Sequence, residues 1–181
     1  MSASYSHGDI AIIGIACRFP GGASDPEKFW DLLSNKRSAF TTVPKDQYNG
    51  DAFYHPAREK LNTLSARGGH FLNENITTFD APFFHITAQE VTAMDPTARM
   101  LLEVTYEALE NAGLPVENVV GSDTSCQVGC FTRDWHEMLM CDAETAPLYA
   151  GTGTGFSLLS NRNALRDRDF IHSVIRRTGI D

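Results

Sequence analysis

The stretch Ile-Ala-Ile-Ile-Gly-Ile-Ala-Cys at residues 10–17 is the longest apolar run in the chain, and Arg-Phe-Pro-Gly-Gly at 18–22 ends it. A short continuous run of β-branched residues predicts a strand at 10–16 that is buried on both faces of a sheet. Segments with helical patterning alternate with strand-like segments further along the chain. This alternation predicts an α/β architecture.

Three helices are predicted from their capping residues. The pairs that mark the helix starts are Ser24 with Glu27, Thr87 with Glu90, and Asp95 with Pro96. The first helix is expected over 26–36, and Gly113 is expected to end the third. The third helix has small or apolar residues at three- and four-residue steps, so one face must pack inward. These residues are Ala98, Leu101, Leu102, Thr105, Ala108, Leu109 and Ala112.

Two segments outside these helices have a different character. Residues 38–69 lose all periodicity and predict a long irregular connection. Residues 124–132 predict a strand with Cys126, Val128 and Cys130 on one face, because alternate residues of a strand share a face.

Composition and charge exclude several classes of protein. The 181 residues carry a net charge of −8, the wrong sign for a protein that binds nucleic acid by neutralising phosphates. The four cysteines have neither the density nor the even spacing of a disulfide framework, so reduced thiols are expected. The longest apolar run is far shorter than the ~20 residues of a membrane helix. A soluble cytoplasmic protein with no membrane or nucleic-acid partner is therefore expected.

The glycine-rich segment Gly-Thr-Gly-Thr-Gly at 151–155 suggests a phosphate loop. The dinucleotide fingerprint, however, needs a glycine where Phe156 stands, and the P-loop needs a Gly-Lys-Ser or Gly-Lys-Thr ending. A tight backbone turn is favoured over a phosphate site.

The cysteines give only weak signals for a reactive or metal-binding site. One candidate set of zinc ligands consists of Cys126, Cys130, His136 and Cys141. Their spacing fits no zinc signature, and core thiols are favoured. Cys17 ends the predicted strand without a capped helix directly after it, so a reactive thiol is disfavoured there. The Gly-x-Ser-x-Gly pattern of serine hydrolases is absent from the sequence.

Histidine and glutamate residues near the third helix have structural interpretations. His85 follows Phe83 and Phe84 and is expected to be a packed or partly exposed histidine rather than a base. The glutamates of the third helix are expected on its solvated face, with Arg99 and Glu103 as an i,i+4 pair. They are Glu103, Glu107 and Glu110.

Several blocks, in the right order, resemble the start of the β-ketoacyl synthase domain of modular and iterative polyketide synthases. The blocks are residues 9–22, 29–33, 67–72, 79–84, 94–96 and 101–113. Residues 129–135 and 149–155 look most like the fungal highly reducing branch. The resemblance implies an incomplete thiolase-like α/β fold, part of the first half of a ketosynthase. Thr97-Ala98 departs from the family, in which many relatives carry two glutamines.

The resemblance continues to about residue 162 and then breaks. The family continues into a strand and an Asp-Thr-Ala-Cys-Ser-Ser elbow, whereas residues 163–181 resemble a later strand region that ordinarily ends Arg-Gly-Thr-Gly-Ile-Asn. We therefore expect an internal deletion joined near Arg162 and a second truncation at Asp181. The expected division is a polar tail at 1–8, a partial ketosynthase region at 9–162 and the later segment at 163–181.

The expected deletion bears directly on the chemistry. Decarboxylative condensation in the family needs a thiolate to hold the acyl chain and histidines to assist the reaction. The resemblance implies that both are missing, so no catalytic, cofactor-binding or metal-binding residue is assigned.

Three functions remain open at this point. They are an inactive ketosynthase fragment, a non-catalytic module that pairs with an intact synthase or an acyl carrier protein, and an α/β enzyme using Cys17 or a divergent site. A ketosynthase homodimer partner is also possible for the family. Residues 170–175 are β-prone and are expected to be poorly fixed.

Overall fold

A computed structural model describes residues 10–45, 47–142, 144–155 and 159, which form seven helices and two strands. The elements are α1 (Pro26–Ser34), β1 (Phe40–Thr42), α2 (Gly50–Phe53), β2 (Gly68–His70), α3 (Ala88–Ala93), α4 (Pro96–Asn111), α5 (Val116–Val119), α6 (Asp134–Met140) and α7 (Ala150–Thr154). They belong to two compact units. One contains residues 17–79, and the other contains 10–16 together with the residues from Asp80 onward.

In the 17–79 unit, α1 begins at Pro26 as expected, but its N-cap differs from the predicted one. The N-cap is Asp25 instead of Ser24, and its Oδ1 accepts a hydrogen bond of 2.8 Å from the Lys28 backbone N–H. The helix ends at Ser34, short of the expected Lys36, because Lys36 adopts a left-handed backbone with φ 52°. A left-handed residue cannot continue a right-handed helix.

The connection predicted as irregular over 38–69 contains regular structure, so that prediction is wrong in part. Strands β1 and β2 pair antiparallel, with Phe40 opposite His70 and Thr42 opposite Gly68. The pattern gave no signal for this pair because each strand has only three residues.

In the second unit, the local capping signals are confirmed. Thr87 Oγ1 accepts from the Glu90 N–H at 3.3 Å and starts α3, and an Asp95 side-chain oxygen accepts from the Thr97 N–H at 2.8 Å and starts α4. Gly113 has φ 66° just after the C-cap of α4. The inward face of α4 is also confirmed, although only Ala98 and Leu102 of the predicted set are fully buried.

The predicted strand at 10–16 is wrong. This segment has no regular secondary structure, and Ile10 and Ile12 are 97% and 83% exposed. A strand needs a neighbouring strand, and no hydrogen bond between backbone groups joins 10–16 to another described residue. The segment is instead fixed to α4, where the Ile15 N–H donates to Asn111 Oδ1 at 3.1 Å.

Gly14 explains how closely this segment lies against α4. A Cβ at Gly14 would lie 2.2 Å from the Ala108 carbonyl oxygen and 2.8 Å from the Ala112 Cβ, well inside van der Waals contact. Only a residue without a side chain permits this approach.

The predicted strand at 124–132 is likewise wrong, since these residues form no ladder with the rest of the described chain. The alternation on which the prediction rested is nevertheless present. Cys126, Val128 and Cys130 are half-buried, while the residues between them are exposed. The predictions for the tail at 1–8, for 163–181 and for the strand at 170–175 fall outside the described residues.

Candidate functional site

The glycine-rich segment at 151–155 lies largely within α7 and packs against the end of α3. The Asp95 N–H donates to the Gly153 carbonyl at 3.0 Å, and a Cβ at Gly153 would lie 2.4 Å from the Ala93 carbonyl oxygen. The Trp135 indole N–H of α6 donates to the same Ala93 oxygen at 3.2 Å. The segment is helical instead of the expected tight turn, and the close approach of two backbones accounts for Gly153.

The same cluster engages one ring nitrogen of His136. Its Nδ1 is hydrogen-bonded to the Thr154 Oγ1 at 2.7 Å, and that hydroxyl lies 2.7 Å from the Ala150 carbonyl oxygen. These contacts hold the imidazole of α6 against α7.

The cysteines are less buried than the core-thiol interpretation requires. Cys17, Cys126 and Cys130 are half-buried, and Cys141 is exposed, so the interpretation is wrong for Cys141. The Cys141 Sγ donates to the Glu137 carbonyl at 3.2 Å, and the Cys130 Sγ donates to the Thr132 carbonyl at 3.8 Å. Among the residues that the structure describes, no group of three or more His, Cys, Asp or Glu could hold a metal ion.

Arg99 departs from its expected place on the solvated face of α4. It is 8% exposed, and its Nε has no hydrogen-bond partner in the described part of the chain. Burial lowers the pKa of Arg99, while the carboxylates of Asp95 and Glu103 raise it. Glu103 and Glu107 are half-buried, so of the three predicted glutamates only Glu110 is exposed. The Glu103 carboxylate thus acts electrostatically on Arg99 within the packed region, where charges interact more strongly than in water.

A cavity of about 680 Å³ lies between the end of α4, α5 and the loop before α3. The Phe83 and Tyr106 rings meet edge to face at 4.9 Å, and His85, with φ 54°, stands exposed at the margin. This confirms His85 as an exposed histidine among aromatic residues. Glu110 and Glu117 also line the cavity, but the described residues around it include no cysteine, serine, threonine or lysine. The arrangement offers a concave surface without an activated nucleophile.

No pattern in the sequence predicts this cavity. Its walls come from residues spaced over more than thirty positions, and His85 and Gly113 shape it through left-handed backbones. The sequence places His85 beside Phe83 and Phe84, but nothing in their spacing brings them to Tyr106.

Comparison with known proteins identifies the family. Residues 7–166 match the family described as "Beta-ketoacyl synthase, N-terminal domain", and the chain belongs to this family. The fungal proteins "Highly reducing polyketide synthase Preu1" of Preussia isomera and "Highly reducing polyketide synthase SAT13" of Stachybotrys chartarum are 65% and 51% identical to it over 162 and 154 residues. These alignments cover 90% and 84% of this chain but only 7% and 6% of the two relatives.

Solved ketosynthases share the fold. The oxazolomycin ketosynthase domain OzmH KS7 of Streptomyces albus superimposes with a TM-score of 0.75 at 26% identity, covering 87% of this chain and 27% of that one. The ketosynthase from module 6 of the bacillaene synthase of Bacillus subtilis gives 0.75 at 25% identity, covering 89% and 25%. The predicted class, an incomplete thiolase-like α/β fold from the first half of a ketosynthase, is confirmed. In the described residues, no helix is long and apolar enough to cross a membrane.

Proposed function

We propose that this polypeptide is a ketosynthase part of a fungal highly reducing polyketide synthase that does not catalyse condensation by itself. The relatives named above are highly reducing polyketide synthases, and the family reaction is a decarboxylative Claisen condensation in polyketide biosynthesis. We place the chain in the cytoplasm and assign it no cofactor.

One observation carries the proposal. Residues 156–181, which follow the glycine-rich segment, contain no cysteine. The family's nucleophile belongs in an Asp-Thr-Ala-Cys-Ser-Ser elbow after that segment, so an internal deletion near Arg162 would have removed it. Without a thiolate the acyl chain cannot be held as a thioester, and condensation has no first intermediate.

The remaining thiols support this proposal. The Cys141 and Cys130 thiols donate to carbonyls within four residues of themselves, and the His136 Nδ1 is hydrogen-bonded to the Thr154 hydroxyl. None of these contacts joins a thiol to a base that could activate it, as nucleophilic catalysis requires.

The test is a condensation assay with an acyl thioester and a malonyl-loaded acyl carrier protein. We expect no β-ketoacyl product from the 181-residue chain, with an intact fungal ketosynthase as the positive control. Turnover above the uncatalysed background would contradict the proposal. Turnover that survives Cys→Ala changes at 17, 126, 130 and 141, made singly, would contradict it as well.

Sequencing the transcript across the codons for Ser160–Leu165 tests the deletion separately. An uninterrupted reading through these codons supports the deletion. An additional segment encoding the cysteine elbow would refute it.

A second candidate function is a non-catalytic module that pairs with an intact synthase, an acyl carrier protein or a ketosynthase homodimer partner. The favouring observation is the apolar segment 10–16, whose isoleucines are exposed although one end is tied to Asn111. Large exposed apolar surfaces are typical of interaction sites.

Sedimentation of the chain with purified carrier protein, or with an intact ketosynthase, tests the pairing. A complex that is lost in the Ile12→Thr, Ile13→Thr double variant and kept in Leu148→Thr would support the module. Leu148 is a suitable control because it is also exposed but lies outside the segment. No complex with either protein would exclude this candidate.

A further inference from the structure

A cleft of about 510 Å³ lies beside α1 in the 17–79 unit. Its apolar lining includes Phe19, Phe29 and Leu32, and the two phenylalanine rings pack with centroids 4.5 Å apart. The volume is in the range of pockets that bind small organic ligands. A preformed aromatic surface of this kind takes an alkyl or aromatic group.

The polar part of the same lining is basic. Lys36, Arg37 and His70 line the cleft, and the described lining contains no aspartate or glutamate. The Arg37 guanidinium forms an ion pair with Asp31, which offsets its charge. Lys36 has no ion pair within the part of the chain that the structure describes. An uncompensated ammonium beside an apolar surface, in a chain of net charge −8, favours a single anionic group.

Lys36 occupies its place at a conformational cost. The Lys36 N–H donates to the Leu33 carbonyl and the Arg37 N–H donates to the Leu32 carbonyl, both at 3.0 Å, which is the Schellman ending of a helix. The left-handed residue in this motif is usually glycine, whereas here it is lysine with φ 52°. Strained non-glycine residues of this kind concentrate at binding and catalytic sites.

We propose that this cleft binds a carboxylate that carries a short alkyl or aromatic tail. The Lys36 ammonium pairs with the carboxylate, and the tail lies against Phe19, Phe29 and Leu32. The proposal does not depend on the condensing function, since it uses no thiol and no residue of the 80–159 region.

Octanoate is the probe, with octanamide and octylammonium as tail-matched controls, observed by saturation-transfer difference NMR on the full chain. We expect octanoate to bind and both controls to bind at least about fivefold more weakly, because a hydrogen bond between charged groups exceeds a neutral one by about 1 kcal/mol, which is about fivefold in affinity. No octanoate binding, or equal binding of all three probes, would overturn the proposal.

Substitutions at one position separate binding from stability. Lys36→Gly should lower the affinity for octanoate at least about fivefold. The melting temperature should stay equal or rise, because glycine adopts the left-handed backbone without strain. Lys36→Arg should keep the affinity, and so should Lys60→Ala, which removes the charge of another exposed lysine of the same unit. Unchanged affinity in Lys36→Gly, or an equal loss in Lys60→Ala, would overturn the assignment.

A second copy of the chain is the competing occupant. In that case Lys36→Gly would reduce self-association in sedimentation experiments, and octanoate would fail to bind where the chain is associated. This result would also overturn the proposal.

Discussion

Gly151 and Gly153 stand two residues apart in α7, but their surroundings differ completely. A Cβ at Gly151 would meet nothing within 4 Å, whereas one at Gly153 would lie 2.4 Å from the Ala93 carbonyl oxygen. We therefore expect Gly151→Ala to raise the free energy of unfolding by about 0.5–1 kcal/mol through helix propensity. Gly153→Ala should lower it by about 1–3 kcal/mol, since the backbones must move apart.

Urea unfolding followed by circular dichroism measures both changes. The pair is matched, because the substitution and the helix are the same. If Gly153→Ala were as stabilising as Gly151→Ala, the close approach of α7 to Ala93 would not exist in solution.

A substitution at Gly14 tests the packing of the segment 10–16 on α4. Gly14→Val should destabilise the chain by about 1–3 kcal/mol, because its side chain would overlap Ala108 and Ala112. Gly129→Val is the control, since nothing lies within 4 Å of a Cβ at Gly129. Equal chemical-denaturation midpoints for the two variants would contradict the contact between Gly14 and α4.

At the scale of elements, the N-cap of α1 makes folding sensitive to acid. The side-chain and backbone hydrogen bonds from Lys28 lower the pKa of Asp25 below its usual value of 3.8. A carboxylate with a lowered pKa stabilises the folded state above its unfolded pKa, and this contribution is lost as the pH falls through the folded pKa. In Asp25→Asn the amide oxygen can still accept from the helix N–H without titrating.

Thermal melts of both proteins between pH 5 and 2 test this sign. Below pH 3.8, the melting temperature of the wild type should fall more steeply than that of Asp25→Asn. Parallel slopes across this interval would show that Asp25 does not titrate with folding.

Elements that could be predicted from the sequence are those whose cause is local. The caps at Thr87 and Asp95 each satisfy a backbone N–H two or three residues away, so the residues that start the helix are adjacent in sequence. The segment 10–16 has an equally clear strand composition, but a strand forms only against a distant partner. Burial of Arg99 could not be predicted either, because arginine at an i,i+4 spacing from glutamate is normally exposed.

The features of the candidate site also divide into those with a local sequence signal and those without one. The family came from short blocks in the correct order, and so did the expectation that its nucleophile is missing. The cleft beside α1 was missed because it depends on the left-handed backbone of Lys36, and no sequence pattern assigns that conformation to a lysine.

For the whole molecule, the loss of net charge near the isoelectric point and the exposed apolar surface should together promote association. The sequence pI is about 5.2, and repulsion between copies vanishes near this pH. We expect light scattering and binding of a dye for apolar surfaces to be high at pH 5.2, and scattering to fall at pH 8, where the chain is anionic. The thermal transition should be broad.

The Ile12→Thr, Ile13→Thr double variant should reduce dye binding at both pH values, because it removes exposed side chains of the 10–16 segment. Leu148→Thr should change it little. A soluble monomer that melts sharply and binds no dye would contradict the exposure of this segment.

The hydrogen bond from Ile15 to Asn111 joins residues 96 positions apart, and this separation governs the order of events during translation. The isoleucines leave the ribosome before Asn111, which follows only after those 96 residues have been added, roughly 5–20 s later at usual rates of synthesis. Throughout that interval the nascent chain exposes the apolar segment 10–16 without the helix that holds it. Chaperones that recognise short aliphatic stretches therefore have several seconds in which to bind this segment.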